Sequence, residues 1–223
     1  MTDAHWNEHK EDLNSSRTDV CRDDLCARQQ TAYPFSSAKT LPEKSYDPTQ
    51  FEFSHANDNY TIFSSGRGLR KRSGKTRSFK LQLSPSSHLT REIYHIEYQG
   101  DLLLICEESD EIYGGGFIVR LDGRTLKTKW RRYIQGFNVG QGLIDGKHAY
   151  VTGIGFVGKV DLSSGRYVWQ HRGLYKEDRF NSFELPEVHG ETVIFRELPQ
   201  YIRKKQAVVK VDRASGEIIS FDH

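Results

Sequence analysis

The alternation of apolar and polar residues between Phe156 and Trp169 (F-V-G-K-V-D-L-S-S-G-R-Y-V-W) predicts two short β-strands joined by a tight turn. Side chains alternate between the two faces of a strand, so Phe156 and Val160 share one face while Val157 and Lys159 share the other. The turn is Leu-Ser-Ser-Gly, and its glycine supplies the positive φ that the turn requires. This hairpin is the unit on which the rest of the chain is built.

The same pattern recurs along the chain. Residues 117–130 (F-I-V-R-L-D-G-R-T-L-K-T-K-W) and 207–221 (A-V-V-K-V-D-R-A-S-G-E-I-I-S-F) follow it closely, and residues 79–84 (F-K-L-Q-L-S) follow its first half. The residues immediately before the turns are 38, 39 and 51 positions apart: Ser84, Asp122, Asp161 and Asp212. An internal repeat of about 40 residues therefore organises the chain.

Each unit is predicted to form four strands in an antiparallel meander, which in the second unit are Ile93–Tyr98, Leu102–Cys106, Phe117–Leu121 and Lys127–Arg132. Four-stranded units that repeat at about 40 residues are typical of β-propeller blades. The predicted fold class is all-β, a β-propeller-like array of about four antiparallel blades over residues 51–223, with little helix.

Residues 1–50 show neither helical nor strand periodicity and predict an irregular leader, mobile or loosely docked. Candidate docking strands are Tyr33-Pro34-Phe35 and Phe51-Glu52-Phe53. An alternative for the leader is a tetrahedral zinc site, although the cysteine spacing is loose and the order of the ligand pairs is reversed from that of a usual finger. The ligands of that site would be His5, His9, Cys21 and Cys26.

The turn residues resemble the pyrroloquinoline-quinone-type propeller repeat of quinoprotein dehydrogenases and outer-membrane assembly scaffolds, Ala-x-Asp-x-x-Thr-Gly-x-x-x-Trp. The third unit matches it best, with Asp161, Ser164, Gly165 and Trp169. The second and fourth units match in part, with Asp122, Thr125 and Trp130, and with Asp212, Ser215 and Gly216; Leu126 stands at a glycine position, and Ser220-Phe221 at a tryptophan position. The resemblance, which extends to WD-like repeats, implies a fold and not a function.

The residue types of this repeat have physical reasons. The aspartate caps the corner between strand and turn, and the hydroxyl residue bonds the turn backbone. Trp130 and Trp169 are expected to fill the wedge between neighbouring sheets, where an indole buries about 200 Å². Four repeats permit a four-bladed ring, or an array that a partner chain or self-association completes. The sequence leaves the oligomeric state open.

Catalytic chemistry is poorly supported by the sequence. A quinoprotein would need acidic calcium ligands, a catalytic aspartate and a tryptophan over the cofactor, but the recurrent aspartates are already assigned to turns. No ligand spacing relates His88, His95, His148, His171, His189 and His223, and Cys106 lies in an apolar run typical of a core residue. We therefore predict no catalytic residue, no metal and no cofactor.

Charge is informative only locally. The net charge of +2 indicates no global attraction to nucleic acid or membranes, and no apolar run approaches the roughly 20 residues that span a bilayer. The polar N-terminus lacks a secretory signal, which predicts a cytoplasmic location. Residues 66–80 (G-R-G-L-R-K-R-S-G-K-T-R-S-F-K) carry seven cations, and we place them in a flexible loop between the second and third strands of the first unit.

The corresponding loops of two other units are also charged, and all three would leave the same face of a propeller. The candidate binding residues are Arg67, Arg70, Lys71, Arg72, Lys75 and Arg77 in the first loop, Glu107, Glu108, Asp110 and Glu111 in the second, and Arg203, Lys204 and Lys205 in the fourth. They form either solvated loops in which the basic and acidic segments pair, or a recognition face for an acidic protein or nucleic acid. Nucleic-acid binding is disfavoured because Phe79 is the only aromatic residue in the basic segment.

A second charged set is Arg120, Lys159 and Lys210, at the same position in three units, with Gln82 in the first. Each is followed two residues later by the turn aspartate. Local neutralisation by that aspartate is favoured over an anion-binding ring.

Together these observations predict a non-catalytic binding or scaffold propeller. It would recognise a protein partner through its charged loop face, as an adaptor or as a neutraliser of a toxin. The first alternative is a quinone-dependent oxidoreductase or a fragment of one. The second is a nucleic-acid binder that uses the basic segment 66–80.

Overall fold

The computed structural model describes residues 32–37, 39–40, 54–56, 60–72, 74–110, 114–174, 182–199 and 206–222. Every regular element in these ranges is a β-strand, and no helix in them is long and apolar enough to cross a membrane. Several predictions lie outside these ranges. They concern the zinc ligands His5, His9, Cys21 and Cys26, the docking strand 51–53, and the candidate binding residues Glu111, Arg203, Lys204 and Lys205.

The described chain begins with two short strands that join sheets formed later in the sequence: β1 (Tyr33–Pro34) and β2 (Ser36–Ser37). β1 pairs with Leu143 and Ile144, and β2 pairs with Tyr94 and His95, both antiparallel. Phe35, between the two strands, is fully buried. The predicted docking of Tyr33-Pro34-Phe35 is therefore confirmed.

The first sheet is a continuous antiparallel meander that consists of β3 (Lys39–Thr40), β4 (Ser54–Ala56), β5 (Tyr60–Phe63), β6 (Arg67–Arg72) and β7 (Lys75–Lys80). The second sheet consists of β2 followed by β8 (His88–Tyr98), β9 (Asp101–Ser109), β10 (Gly114–Leu121) and β11 (Thr128–Ile134). Three of its four long strands contain the strands predicted for the second unit, and β11 begins one residue after the predicted start at Lys127.

The third sheet consists of β1 followed by β12 (Leu143–Asp145), β13 (His148–Gly153), β14 (Phe156–Asp161) and β15 (Tyr167–His171). The fourth sheet consists of β16 (Glu187–His189), β17 (Thr192–Arg196), β18 (Val208–Asp212) and β19 (Ile218–Asp222). Every strand pairing is antiparallel between neighbours.

Three hydrophobic clusters hold the four sheets together in chain order. The first and second sheets share one cluster, the second and third share another, and the third and fourth share the last. The predicted facing of β14 is confirmed, because Phe156 and Val160 pack toward the second sheet while Val157 packs toward the fourth. Within the described ranges no cluster joins the fourth sheet to the first. The architecture is an all-β, β-propeller-like array of four-stranded antiparallel blades.

The first unit differs from its prediction. Ser84 does not precede a turn to a fourth strand; it follows β7, the last strand of the first sheet. Residues 67–72 and 75–80 are not a flexible loop but the two strands of a hairpin, with Gly74 at φ 74° in its turn. The sequence pattern did not indicate these strands because the positions of β6 that face the second sheet are Gly68 and Arg70, which are buried but carry no apolar side chain.

Candidate functional site

The turns between the third and fourth strands of the last three sheets share one hydrogen-bond pattern. The Asp122 carboxylate accepts bonds from the backbone N–H groups of Arg124 and Thr125 and from the Thr125 hydroxyl, at 2.7–3.0 Å. Asp161 and Asp212 accept the equivalent bonds in their own turns. These bonds lower the pKa of all three carboxyls. The predicted role of the turn aspartates is confirmed.

A cation on the third long strand of the second sheet, and another on the third strand after β1 in the third sheet, reach the turn of the next sheet. Arg120 Nη1 donates to the Leu162 carbonyl at 2.7 Å, and Lys159 Nζ donates to the Arg213 carbonyl at 2.6 Å. In both cases the acceptor is the residue directly after the turn aspartate. We call this contact the sheet connector.

The first sheet makes the same connector with Arg70, which donates to the Gly123 carbonyl, again the residue after a turn aspartate. Arg70 lies opposite Tyr60 in the ladder, as Arg120 lies opposite Leu103, so it takes the place that we assigned to Gln82. Local neutralisation by the aspartate two residues on is therefore wrong. The carboxylates already accept bonds within their turns, and the cations point to the neighbouring sheet.

Trp130 and Trp169 fill the space between neighbouring sheets, as predicted. Each ring packs against a glycine in the turn of the following sheet. A Cβ atom on Gly165 would lie 2.5 Å from the Trp130 ring, and one on Gly216 would lie 2.4 Å from Trp169. The indole N–H of Trp130 donates to the Leu162 carbonyl at 3.1 Å, whereas that of Trp169 is buried with no acceptor among the described residues. The wedge therefore closes the turn edge between the second and third sheets and between the third and fourth.

The junction between the first and second sheets lacks this wedge. Arg77 faces Arg70 across the hairpin, as Trp130 faces Arg120, so an arginine stands where the tryptophan is expected. Leu126 stands where the glycine is expected and holds φ at 60°, a conformation that costs a non-glycine residue about 1 kcal/mol or more. Because this junction has neither an indole nor a glycine against which an indole could pack, it opens into a cleft.

The hairpin cleft has a volume of about 460 Å³. The hairpin β6–β7 supplies three of its cations, and the edge of the second sheet supplies a fourth together with two carboxylates. Its charged lining residues are Arg70, Lys75, Arg77, Arg124, Asp101 and Asp122. Three of the four cations are among the binding residues predicted from the sequence, and Arg124, Asp101 and Asp122 are not.

Both carboxylates of the cleft are already engaged. Asp101 accepts bonds from Arg120 at 2.5 Å, from Lys129 at 2.8 Å and from the Gly123 N–H at 2.9 Å. Burial alone would raise the pKa of Asp101, but the bonds from Lys129, Gly123 and Arg120 outweigh it and lower the pKa. Asp122 is held by its turn and lies 3.4 Å from Lys129. Both groups are therefore ionised at neutral pH and locally compensated.

The cations divide into a fixed pair and an open pair. Arg70 is 5% exposed and binds Glu97 at 2.9 Å, while Arg77 donates to the Arg124 carbonyl at 2.6 Å. The side chains of Lys75 and Arg124 are exposed and have no partner within the part of the chain that the structure describes. The cleft therefore offers an anionic group the side chains of Lys75 and Arg124, next to Arg70 and Arg77, which are already hydrogen-bonded.

The predicted acidic loop is largely a strand. Glu107 and Glu108 belong to β9, and Glu108 is 7% exposed. Its carboxylate accepts bonds from Arg131 at 2.5 Å and from the Ser84 hydroxyl and N–H at 3.1 and 3.0 Å. Placing both glutamates in a loop was wrong, because this buried carboxylate has internal donors that local sequence does not show. Asp110 follows the end of β9.

The remaining predicted cations of the hairpin lie outside the cleft. Arg67 stacks over the Phe63 ring at 4.2 Å, and Lys71 is exposed on the same face of β6. Arg72 ends that strand. The basic segment is therefore two-faced, with Arg70 and Arg77 toward the second sheet and Arg67 and Lys71 away from it.

The described residues do not fit a quinone and calcium site. They contain no group of three His, Cys, Asp or Glu side chains placed to hold a metal ion. The recurrent aspartates accept hydrogen bonds from their own turns, so their lone pairs are directed at N–H and O–H groups. Cys106 is fully buried as predicted, and burial raises the pKa of its thiol.

Comparison of the sequence with protein-family profiles and with curated proteins found no match. Among solved structures, the chain is similar to a quinohemoprotein alcohol dehydrogenase from Pseudomonas putida (15% identity, TM-score 0.43, 56% of this chain and 19% of that one). It is also similar to a europium-containing methanol dehydrogenase (12%, 0.45, 78% and 40%) and to the WD40 domain of SCAP from fission yeast (11%, 0.29, 85% and 48%). The chain spans less than half the length of each, and the likeness concerns the fold alone.

Proposed function

We propose that the protein is a non-catalytic binding module that recognises an acidic segment of a partner protein in the hairpin cleft. The observation that carries the proposal is the charge balance of the cleft. Its two carboxylates are compensated by internal donors, while Lys75 and Arg124 have no partner within the described residues. A carboxylate of a partner would meet both free cations without having to displace an internal ion pair.

A protein partner is favoured over nucleic acid by the position of Phe79. This residue, the only aromatic one in the basic segment, is 7% exposed and packs on Gly68, where a Cβ atom would lie 2.0 Å from the ring. It is thus unavailable to stack on a base, and base stacking is the main sequence-tolerant contact of single-strand binders. The role proposed for the protein is that of an adaptor or of a neutraliser of a toxin. A cytoplasmic location is part of the same proposal.

The direct test uses a fluorescent oligoglutamate peptide as the probe and a single-stranded oligonucleotide of equal charge as the comparator. The cleft variant combines Lys75→Ala, Arg77→Ala and Arg124→Ala. The matched control also removes three exposed cations, with Lys147→Ala, Arg166→Ala and Arg172→Ala, at other turns. We expect the wild type to bind the peptide more tightly than the oligonucleotide, with affinity that falls as salt rises.

The cleft variant should lose about tenfold or more in peptide affinity, as expected for removal of charge-assisted contacts, and the control should stay within about twofold of the wild type. Equal losses in both variants would show that net charge and not the cleft determines binding. Capture from native lysate, with and without nuclease, then separates the alternatives. Nucleic acid that disappears with nuclease, or a bound coloured cofactor, would contradict the proposal.

A further inference from the structure

The fourth sheet, the last in the array, has a lysine at the sheet-connector position but no following sheet to receive its hydrogen bond. Lys210 lies opposite Ile194 in its ladder, as Lys159 lies opposite Tyr150 in the third sheet, so it occupies the connector position of the fourth sheet. The three preceding connector residues all donate to a turn carbonyl of the following sheet. The Lys210 side chain has no hydrogen-bond or ion-pair partner among the described residues.

At the other end of the array, the first sheet receives no connector from a preceding sheet of the described chain. The turns that contain Asp122, Asp161 and Asp212 each receive a connector from the preceding sheet. The hairpin turn between β6 and β7 belongs to the first sheet, and no sheet of the described chain precedes it. The described residues thus contain three connectors, while Lys210 on the fourth sheet has no following sheet and the first sheet has no preceding one.

The outer faces of the first and fourth sheets are also incompletely buried. Ile194 and Val208, on the Lys210 face of the fourth sheet, are half-buried, whereas Tyr150 and Val157 at the same positions of the third sheet are fully buried. On the first sheet, Leu69 faces away from the second sheet and is half-buried as well. Each end of the array therefore presents a small apolar strip on the side where an internal junction would continue.

The two faces carry opposite charge. The outer face of the first sheet bears Arg67, Lys71 and Lys80, all exposed. The turn edge of the fourth sheet carries the exposed or half-exposed carboxylates Glu191, Asp212 and Glu217, and Asp222 adds an exposed carboxylate at the opposite end of β19. The cations on this face are Lys210 and Arg196, of which Arg196 is paired with Glu187. Opposite charge on two surfaces that must meet favours and orients their association.

We propose that a second copy of this chain docks head to tail, with the fourth sheet of one copy against the first sheet of the other. The contact repeats between chains the junction that is made three times within the chain, and Lys210 supplies its connector. Because the two surfaces differ, the interface is heterologous, and it forms either a closed ring or a filament. The inference is independent of the cleft and of any partner bound there.

The test is sedimentation of the full chain over a range from about 1 to 100 µM, which covers the usual affinities of such interfaces. We expect the wild type to associate as its concentration rises. Lys210→Glu should weaken association by about tenfold or more, because it places an acid where a donor is needed. The control Lys147→Glu makes the same charge change at an exposed turn of the third sheet and should associate like the wild type.

A wild type that sediments as a monomer over the whole range would overturn the proposal, and so would a Lys210→Glu variant that associates normally. Mixing supplies a second measurement. A variant with Lys71→Glu and Lys80→Glu spoils the first-sheet face, while Lys210→Glu spoils the fourth-sheet face. Each alone should remain monomeric, but their mixture retains one intact pair of faces and should form mixed dimers. A mixture that stays monomeric would rule out the head-to-tail arrangement.

Discussion

The wedge of Trp130 against Gly165 makes a prediction that can be worked out from the structure. Gly165 has φ 68°, and a Cβ atom there would lie 2.5 Å from the indole, which is held in place by its bond to the Leu162 carbonyl. Gly165→Ala therefore combines two costs, about 1–2 kcal/mol for the left-handed backbone and about 1–3 kcal/mol for overpacking. Gly190→Ala is the matched control, because Gly190 has φ 57° and nothing within 4 Å of its virtual Cβ.

The assay is urea unfolding of both variants, followed by tryptophan fluorescence and far-ultraviolet circular dichroism. The control should lose about 1–2 kcal/mol of unfolding free energy, the cost of backbone strain alone. Gly165→Ala should lose about 2 kcal/mol more, which for a chain of this size is a further fall in Tm of roughly 4–8 °C. Equal losses in the two variants would refute the wedge and would mean that the turn conformation alone requires glycine at both positions.

Two further substitutions test the polar contacts of the repeat. Trp130→Phe removes a hydrogen bond to Leu162, whereas Trp169→Phe removes a buried N–H that has no acceptor, so the former should be more destabilising by about 1–3 kcal/mol in the same urea assay; the opposite order would contradict the assignment of the two indoles. Bonds from Ser163 and Ser164 lower the pKa of Asp161 to about 2, so its contribution to stability is present above the ordinary carboxyl pKa and is lost as the pH falls through about 2. The stability difference between wild type and Asp161→Asn should therefore shrink between about pH 4 and pH 2, and a constant difference would show that the charge of this group contributes nothing.

Much of the fold was predictable because the last three units repeat an apolar strand that ends at an aspartate. In β14 both faces are buried, with Phe156 and Val160 in one hydrophobic cluster and Val157 in another, and the strand ends at the predicted aspartate. The turns were predictable for a related reason. Asp161, Ser164 and Gly165 interact within a few residues of one another, so their spacing in sequence is also their spacing in space.

The first unit could not be predicted in the same way. The inward positions of β6 are occupied by Gly68, which allows Phe79 to approach, and by Arg70, whose charge is compensated by Glu97 and by a carbonyl of the second sheet. Glu97 lies on β8 and Gly123 in the turn after β10, 27 and 53 residues from Arg70 along the chain. A run of cations that forms a strand with one buried face therefore looks like a solvated loop until its tertiary partners are known.

The hairpin cleft follows from the same departure from the repeat. At the two later junctions, a tryptophan ring packs directly against a glycine and fills the turn edge. At the first junction, Arg77 replaces the tryptophan and Leu126 replaces the glycine, so an apolar wedge becomes a cleft with a cationic rim. The fold does not require either substitution, because both later junctions form with a tryptophan and a glycine at these positions. Leu126 also keeps an unfavourable backbone conformation. A position where a repeat replaces an apolar wedge with charged residues and keeps a strained backbone is where a binding site is expected.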